Sequence, residues 1–281
     1  MLERLREIVR EMQSVLVCYS GGVDSALVLA VAHAELGENA IGITAVSPSF
    51  APFEKKAAMA IAQQIGAKHL LVESHEIDDP NYQKNDTDRC FYCKSELYSI
   101  TAQKKEELGA KFVINGVNTD DLGDHRPGLV AAKNAGVRSP LVEAKMNKAA
   151  VREAALQMNL PVWDKPASAC LSSRLPFGTS VTRERLDQIG GLEAELLALG
   201  LRQVRVRWHA IERTSGTKGG AIARIEIAKN ELARAFELRE EITRAGKLHG
   251  FSYVTLDLEG YRTGSHNELI VDGKLRVISS S

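Results

Sequence analysis

Short runs of apolar, β-branched residues alternate, over the first two-thirds of the chain, with segments whose apolar residues recur at helical spacing. The short runs are typical of buried strands, and they are Ser14–Tyr19, Ala40–Val46, His69–Val72 and Lys111–Asn115. The helical patterns between them are Asp24–Leu36, Pro52–Ile65 and Cys93–Leu108. This order predicts an α/β fold in which a doubly wound parallel sheet carries helices on both faces. Ligands of such sheets bind beyond the carboxyl ends of the strands.

The pattern changes after a predicted helix at Lys148–Met158. Leu160–Ser180 is rich in proline and serine and reads as an irregular connection, and connections of that length are usually functional or linkers. The patterns beyond it predict a helix at Thr182–Leu199, a strand at Arg202–Trp208, a turn at Thr214–Gly220, a strand at Ala221–Ala228, a helix at Lys229–Ala245, a strand at Phe251–Leu256 and a weaker strand at Leu269–Val271. We therefore expect a first domain at 1–165, a cysteine-bearing linker at 166–181, and a smaller α+β domain at 182–281 for substrate binding and oligomerisation.

Composition limits the classes of protein to which the chain can belong. Its 281 residues are 44% hydrophobic and 26% charged, which is ordinary for a globular protein. No apolar stretch approaches the roughly 20 residues of a membrane span, and Met1–Met12 lacks the apolar core of a signal peptide. We expect a cytoplasmic protein with no membrane partner. The 36 basic and 36 acidic residues cancel, which disfavours nucleic acid as a partner, although residues 201–281 hold 14 basic against 10 acidic residues.

A glycine-rich loop directly follows the first predicted strand and opens the next helix, and it reads Ser20-Gly21-Gly22-Val23-Asp24-Ser25. Glycines allow a sharp turn and a close approach of the backbone to a ligand. The N–H groups at the helix end favour an anion. The bland alternative is a strand–helix turn that binds nothing. The hexapeptide resembles the pyrophosphate-binding loop of the adenine nucleotide α-hydrolases, the PP-loop superfamily, whose members cleave ATP between the α and β phosphates and transfer AMP.

That resemblance implies positions for the rest of the ATP site. The adenine would lie at the end of the second strand, near Thr44, Val46 and Ser47, and the rim of the site would contain Gly116, Asn118 and Asp120. Carboxylates such as Asp24 and Asp120 can hold Mg²⁺ against phosphate oxygens. The loop after Lys111–Asn115 also contains Asp121, Asp124 and Arg126, and for the two aspartates a solvated acidic turn is the alternative.

Three of the four cysteines form a second group of candidate residues. Cys18 lies in an apolar run and is expected to be buried. Cys90 and Cys93 are three residues apart at a helix start, where the thiol pKa falls, and Cys170 lies in the predicted linker. Three thiolates can hold three irons of a [4Fe-4S] cluster and leave the fourth iron open. A redox pair, a zinc site and unrelated cysteines are the alternatives.

Several segments together resemble one family, the ATP-dependent sulfur transferases that mature the nickel-pincer nucleotide cofactor of lactate racemase. They are the hexapeptide, Cys170 with Ser172-Ser173-Arg174, Asn118–Gly128 and the strand with Arg205-Val206-Arg207. The resemblance implies ATP, Mg²⁺ and a small phosphorylated substrate, pyridinium-3,5-biscarboxylic acid mononucleotide, whose carboxylates become thiocarboxylates. Some members sacrifice the sulfur of one cysteine at the Cys170 position. The added Cys90 and Cys93 resemble the cluster-bearing branch, in which sulfide is the sulfur source, and a homo-oligomer is expected.

Arginines are the candidates for holding the substrate phosphate. Arg205 and Arg207 alternate on a strand and share a face, and guanidinium groups bind phosphate in a bidentate manner. Glu226 on the neighbouring strand, Arg174 and Arg126 are further candidates for substrate binding. The alternative is a solvent-exposed face with weak cross-strand ion pairs. Two other functions remain open: thiolation of tRNA, which the zero net charge disfavours, and a non-catalytic nucleotide-binding iron–sulfur protein.

Overall fold

The computed structural model describes residues 1–123, 127–166, 168–212 and 219–262, and two short strands beyond them. The helices are α1 (Leu2–Met12), α2 (Val23–Leu36), α3 (Pro52–Ile65), α4 (Pro80–Gln83), α5 (Arg89–Glu107), α6 (Pro127–Asn134), α7 (Pro140–Glu143), α8 (Lys148–Gln157), α9 (Arg183–Ala198), α10 (Leu232–Glu237) and α11 (Arg239–Leu248). The strands are β1 (Val15–Cys18), β2 (Ala40–Val46), β3 (Lys68–Glu73), β4 (Phe112–Ile114), β5 (Val204–Ile211), β6 (Gly220–Ile227), β7 (Tyr253–Leu256), β8 (Ile270–Val271) and β9 (Lys274–Leu275).

The chain divides into two compact units. The first contains Met1–Tyr82 and Asp88–Ser168, and the second contains Gln83–Thr87 and Ala169–Ser281. Gln83–Thr87 is a short segment that interrupts the first unit in sequence and belongs to the second. Within it, buried Asn85 donates hydrogen bonds from Nδ2 to the carbonyls of Pro176 (2.8 Å) and Thr179 (2.9 Å). No helix in the described ranges combines the length and the apolar character that crossing a membrane requires.

The first unit is built on a four-stranded parallel sheet in the order β3-β2-β1-β4. This confirms the predicted α/β class. The chain moves outward from β1 to β2 and β3 and then returns to the other side of β1 to form β4. The order of strands therefore reverses between β1 and β4, and it is beyond the carboxyl ends of such strands that ligands bind in this kind of sheet.

Alternate residues of the strands supply the core on each face of the sheet, because successive side chains of a strand point to opposite sides. Val15 and Val17 pack in a large apolar cluster with buried residues of α1, α2, α3 and α8. Leu16 packs on the opposite face with Ile41 and Ile43, and α5 packs with α6 in a further cluster that includes Cys18. Helices thus cover both faces, as predicted.

Two helices of the first unit differ from the sequence prediction. The predicted elements include none at Met1–Met12, whereas Leu2–Met12 is a helix that buries Leu5, Ile8, Val9 and Met12 at helical spacing. Helix α5 begins at Arg89, four residues before the predicted start at Cys93. Cys90 and Cys93 consequently both lie inside the beginning of a helix.

The second unit contains a three-stranded sheet in which β5 pairs antiparallel with β6, and β6 pairs parallel with β7. Helix α9 lies against β5. The predicted continuous helix at Lys229–Ala245 is wrong, because a 3₁₀ turn at Lys229–Glu231 is followed by two separate helices, α10 and α11, that meet at Leu238. Glu240 and Glu241 follow this break, and carboxylates in a first turn favour a new helix N-terminus. The predicted 214–220 turn lies mostly outside the described residues.

Candidate functional site

The glycine-rich loop joins β1 to α2 at the point where the strand order reverses. The Ser20 backbone N–H donates to Ser25 Oγ (3.1 Å), Ser25 Oγ donates to the Gly22 carbonyl (3.1 Å), and the two serine hydroxyls lie 3.2 Å apart. The first backbone bond inside the helix runs from the Ala26 N–H to the Gly22 carbonyl (2.9 Å). The N–H groups of Val23, Asp24 and Ser25 therefore have no partner within the helix and are placed to bind an anion.

Two glycines allow this loop to be as compact as it is. Gly21 has φ of +74°, and a Cβ there would lie 2.7 Å from the Ala58 Cβ. Gly116, at the end of β4, has no room for a side chain either, because a Cβ would lie 2.7 Å from the Ser25 nitrogen. Gly116 thus packs its backbone directly against the start of α2. The structure brings the predicted phosphate loop and the predicted rim residue together.

Polar side chains from three segments meet at Asp24. Its carboxylate accepts a hydrogen bond from Asn118 Nδ2 (3.0 Å) and pairs with Lys148 Nζ (2.5 Å). Asn118 Oδ1 accepts from the Asp120 N–H (2.9 Å), and Asp120 Oδ2 accepts from the Lys148 N–H (3.0 Å). Asp24 and Asp120 therefore share one network, and their carboxylate oxygens are the type of ligand that Mg²⁺ prefers.

Two lysines of this site were missed by sequence reasoning. Lys148, at the start of α8, pairs with Asp24, and Lys165 Nζ donates to the Gly21 carbonyl (3.3 Å) and to Glu54 Oε2 (2.6 Å). Both ammonium groups thus lie at the phosphate loop, although neither belongs to the local motif. In the sequence, Lys165 lies in the proline-rich connection, and nothing there indicates that it contacts the glycine-rich loop.

The edge formed by the ends of β2 and β3 contains the residues predicted near adenine. Thr44 is buried and its hydroxyl is committed to the Tyr19 carbonyl (2.7 Å) and to His69 Nε2 (2.8 Å). Burial lowers the pKa of His69, which favours the neutral imidazole. The Val46 carbonyl accepts from the Ser74 N–H (3.0 Å). Thr44 and Val46 therefore fix the geometry of this edge through hydrogen bonds to other residues of the protein.

Ser47 belongs to a buried serine–carboxylate cluster at the same edge. Glu76, only 2% exposed, accepts hydrogen bonds from the hydroxyls of Ser47, Ser49 (2.7 Å) and Ser74 (2.5 Å). Since three hydroxyls satisfy this carboxylate, the turn after β2 is fixed to the end of β3. Glu76 is not among the residues that the sequence motifs predict for this edge.

The cysteines differ in exposure and in the unit to which they belong. Cys18 is in the first unit, and burial raises the pKa of its thiol to about 12, against a smaller opposing effect of Lys94. Exposed Cys90 and half-buried Cys93 lie on α5 of the first unit, and half-buried Cys170 belongs to the second. Within the described parts of the chain, no three His, Cys, Asp or Glu side chains are grouped in a way that would hold a metal ion. The three-cysteine site stays a prediction.

Cys170 begins a 3₁₀ turn, Leu171–Arg174, that fixes its backbone. The Cys170 carbonyl accepts hydrogen bonds from the Ser173 N–H (3.0 Å), Ser173 Oγ (2.8 Å) and Arg174 Nη1 (3.2 Å). Arg174 is itself 3% exposed, and Glu193 binds it through Nε (2.8 Å) and Nη2 (3.0 Å). A buried ion pair thus holds the turn that carries the candidate nucleophile.

The predicted arginines of β5 lie next to this turn and are buried. Arg207, 2% exposed, forms a bidentate pair with Glu226 (3.0 and 2.9 Å) and donates to the Ser173 carbonyl (2.9 Å). Arg205 is 8% exposed. The face is therefore buried and not solvent-exposed, although the cross-strand pair of that alternative is present between Arg207 and Glu226. Arg126 and Asp124 lie outside the described residues.

Comparison with known proteins adds a family to this geometry. A model of the NAD synthase family matches residues 2–96. A pyridinium-3,5-bisthiocarboxylic acid mononucleotide synthase of Lactiplantibacillus plantarum is 35% identical over 268 residues, which cover 95% of this chain and 94% of the relative. An uncharacterized protein of Synechocystis is 45% identical over 96% of this chain and 97% of its own length. Another, of Methanocaldococcus jannaschii, is 30% identical over 89% of this chain and 92% of its own length.

Proposed function

Because this chain belongs to the family of the pyridinium-3,5-bisthiocarboxylic acid mononucleotide synthases, within the PP-loop superfamily, we propose that it is an ATP-dependent sulfur transferase. Its substrate would be pyridinium-3,5-biscarboxylic acid mononucleotide, whose carboxylates are adenylated and then converted to thiocarboxylates. The observation that carries the proposal is the loop Ser20–Ser25, closed by Gly116 and placed at the reversal of the strand order. A cytoplasmic location and a homo-oligomeric state stay predictions.

The first unit would carry out the adenylation. A substrate carboxylate oxygen attacks the α phosphorus of ATP, the bond to the β phosphate breaks, and pyrophosphate leaves. The N–H groups at the start of α2 and the ammonium groups of Lys148 and Lys165 would stabilise the charge on the departing phosphates. Asp24 and Asp120 would hold Mg²⁺, whose charge would further offset that of the phosphates.

The second unit would hold the substrate through its phosphate. Glu226 and Glu193 already satisfy Arg207 and Arg174 in bidentate pairs, so these two arginines would shape the site. Arg205 makes no ion pair to a carboxylate within the described ranges, and it is therefore the arginine that would bind the phosphate.

The sulfur step would replace AMP at the activated carboxyl carbon. A sulfur nucleophile attacks that carbon, a carbon–sulfur bond forms, and the carbon–oxygen bond to AMP breaks. Cys170 is the candidate nucleophile, held by its turn. The thioester that it forms would release the thiocarboxylate by β-elimination, in which the Cys170 Cα proton leaves, the Cβ–Sγ bond breaks and dehydroalanine remains in the chain. Cys90, Cys93 and Cys170 are alternatively the candidate ligands of a [4Fe-4S] cluster, which when bound would supply a sulfide on its open iron.

The proposed reaction can be tested directly. Anaerobic protein is supplied with ATP, Mg²⁺, sulfide and the biscarboxylate mononucleotide, and the products are analysed by mass spectrometry for exchange of oxygen for sulfur and for AMP. We expect thiocarboxylate and one AMP for each activated carboxylate. Pyrophosphate release without sulfur in the product would contradict the proposal.

A matched pair of variants tests the phosphate site in the same assay. Lys165→Met removes an ammonium from the loop, and charge-assisted hydrogen bonds contribute about 1.5–3 kcal/mol, so we expect kcat/KM for ATP to fall about 10- to 100-fold. Lys145→Met, at an exposed position of the same unit, should leave kcat/KM for ATP unchanged.

A further inference from the structure

Arg205 differs from the other two arginines around the Cys170 turn. Arg207 and Arg174 each have a buried carboxylate, whereas Arg205 is 8% exposed and its side chain forms no hydrogen bond or ion pair with the described residues. Its cross-strand neighbour Glu226 is bound to Arg207 and to Arg224. Burying a charge without a partner is unfavourable. The position is consistent with a cation whose anion is a ligand.

Tyr261 covers this guanidinium. The Arg205 Cζ lies 4.5 Å from the centroid of the Tyr261 ring. The Tyr261 hydroxyl is buried and has no hydrogen-bond partner, although buried tyrosine hydroxyls usually have one. A cation and a hydroxyl, neither of them bonded to a polar group of the described chain, thus belong to two side chains that are stacked on each other.

The backbone fixes Tyr261 in that position. The Tyr261 N–H donates to the Ile227 carbonyl (2.8 Å), and the Gly260 N–H donates to the Asp257 carbonyl (3.1 Å). Gly260 has φ of +70°, and a Cβ there would lie 2.8 Å from the Ile227 oxygen. A turn that accepts only glycine at this position therefore anchors the tyrosine to the end of β6, which is the strand next to Arg205.

We propose that Tyr261 is a substrate-positioning residue. Its ring holds the Arg205 guanidinium in place by stacking on it, and its hydroxyl donates a hydrogen bond to the phosphate monoester that Arg205 also binds. This inference rests on the proposed function for the identity of the substrate. The planar guanidinium supplies charge and two parallel N–H donors. The Tyr261 hydroxyl supplies a further donor. Its distance from the Arg205 guanidinium is fixed, because the ring that stacks on the guanidinium also carries the hydroxyl.

The test compares Tyr261→Phe, which removes only the hydroxyl, with Arg205→Lys, which keeps the charge but not the flat guanidinium. Binding of inorganic phosphate and of the biscarboxylate mononucleotide to the full chain is measured by calorimetry, and steady-state kinetics by the thiocarboxylate assay. For Tyr261→Phe we expect affinity for both ligands and 1/KM for the mononucleotide to fall about tenfold, with kcat and KM for ATP unchanged. The Arg205→Lys variant should lose more affinity.

The outcomes separate this inference from the proposed function. If Arg205→Lys weakens phosphate binding while Tyr261→Phe binds phosphate as the wild type does, Tyr261 is structural only and the inference is overturned, whatever the reaction. If the protein forms no thiocarboxylate but its phosphate affinity still depends on the Tyr261 hydroxyl, the proposed function fails and the phosphate subsite stands. A lower melting temperature with unchanged phosphate affinity in Tyr261→Phe would also overturn the inference.

Discussion

At the scale of single residues, the second unit is organised by arginines that are buried with carboxylates. Glu193 is 1% exposed, and it receives two bonds from Arg174 and one from the Val206 N–H (3.0 Å). Such a pair has a large desolvation penalty, so removing one partner leaves an uncompensated charge. The pair therefore fixes the position of the Cys170 turn more than it adds to stability.

Removal of Glu193 should destabilise the second unit. We expect Glu193→Ala to lower the free energy of unfolding by about 3–5 kcal/mol, because Arg174 stays buried without its carboxylate. Urea unfolding followed by Trp208 fluorescence, in a Trp163→Phe background that leaves one tryptophan, measures this. Glu240→Ala, which removes an exposed partner of Arg239 in the same unit, should change the stability little. Equal effects of the two substitutions would contradict the assignment.

At the scale of elements, the loop between β1 and α2 depends on a close contact with α3. Gly21 combines a positive φ with a backbone position that touches Ala58, whereas Gly109, after α5, has a φ of +67° and open space around it. The two glycines share a positive φ and differ in what surrounds them. A side chain at Gly109 would therefore cause only backbone strain, whereas a side chain at Gly21 would also displace the loop from Ala58.

Alanine substitutions at these two glycines should therefore have different effects on ATP. Both variants lose about 1 kcal/mol or more of stability, since a side chain disfavours this backbone conformation. Only Gly21→Ala should weaken ATP binding, by at least about tenfold, because its Cβ would overlap α3 and move the loop. Equilibrium dialysis with labelled ATP measures the affinity. Normal ATP affinity of Gly21→Ala would contradict the role of this loop.

At the scale of the whole molecule, the three cysteines proposed for the sulfur chemistry are divided between the two units. Cys90 and Cys93 belong to the first unit and Cys170 to the second. The zero net charge offers no general attraction for RNA, which fits a small phosphorylated substrate better than tRNA. A cluster held by these cysteines would therefore require the intact chain.

Iron binding tests whether the three cysteines act together. Full-length protein reconstituted anaerobically with iron and sulfide should be brown and hold about four irons per chain, and Cys90→Ala, Cys93→Ala or Cys170→Ala should each abolish the colour. Cys18→Ala is the matched control and should keep the cluster, since Cys18 packs against the apolar residues of the sheet. A colourless protein that consumes its own Cys170 sulfur during turnover would support the sacrificial alternative.

The local pattern of apolar residues and glycines in the sequence determined most of the secondary structure of this protein. The spacing of apolar residues predicts the parallel sheet and its helices, and the motif Ser20–Ser25 predicts a glycine turn between β1 and α2, because short-range sequence decides which face of an element is buried and where a turn must contain glycine. The break between α10 and α11 is not predicted, since a continuous helical pattern does not show that one helix ends and the next begins at Leu238.

Contacts between distant residues were decided only by the tertiary structure. Lys165 reaches the loop at Gly21, Asn85 joins the segment before Thr179, and Tyr261 stacks on Arg205 across long separations in sequence. The sequence around a charged residue or a hydroxyl does not show which distant residue it will contact. Which arginine pairs with a carboxylate and which does not depends on packing and register, and these are set when the strands pair.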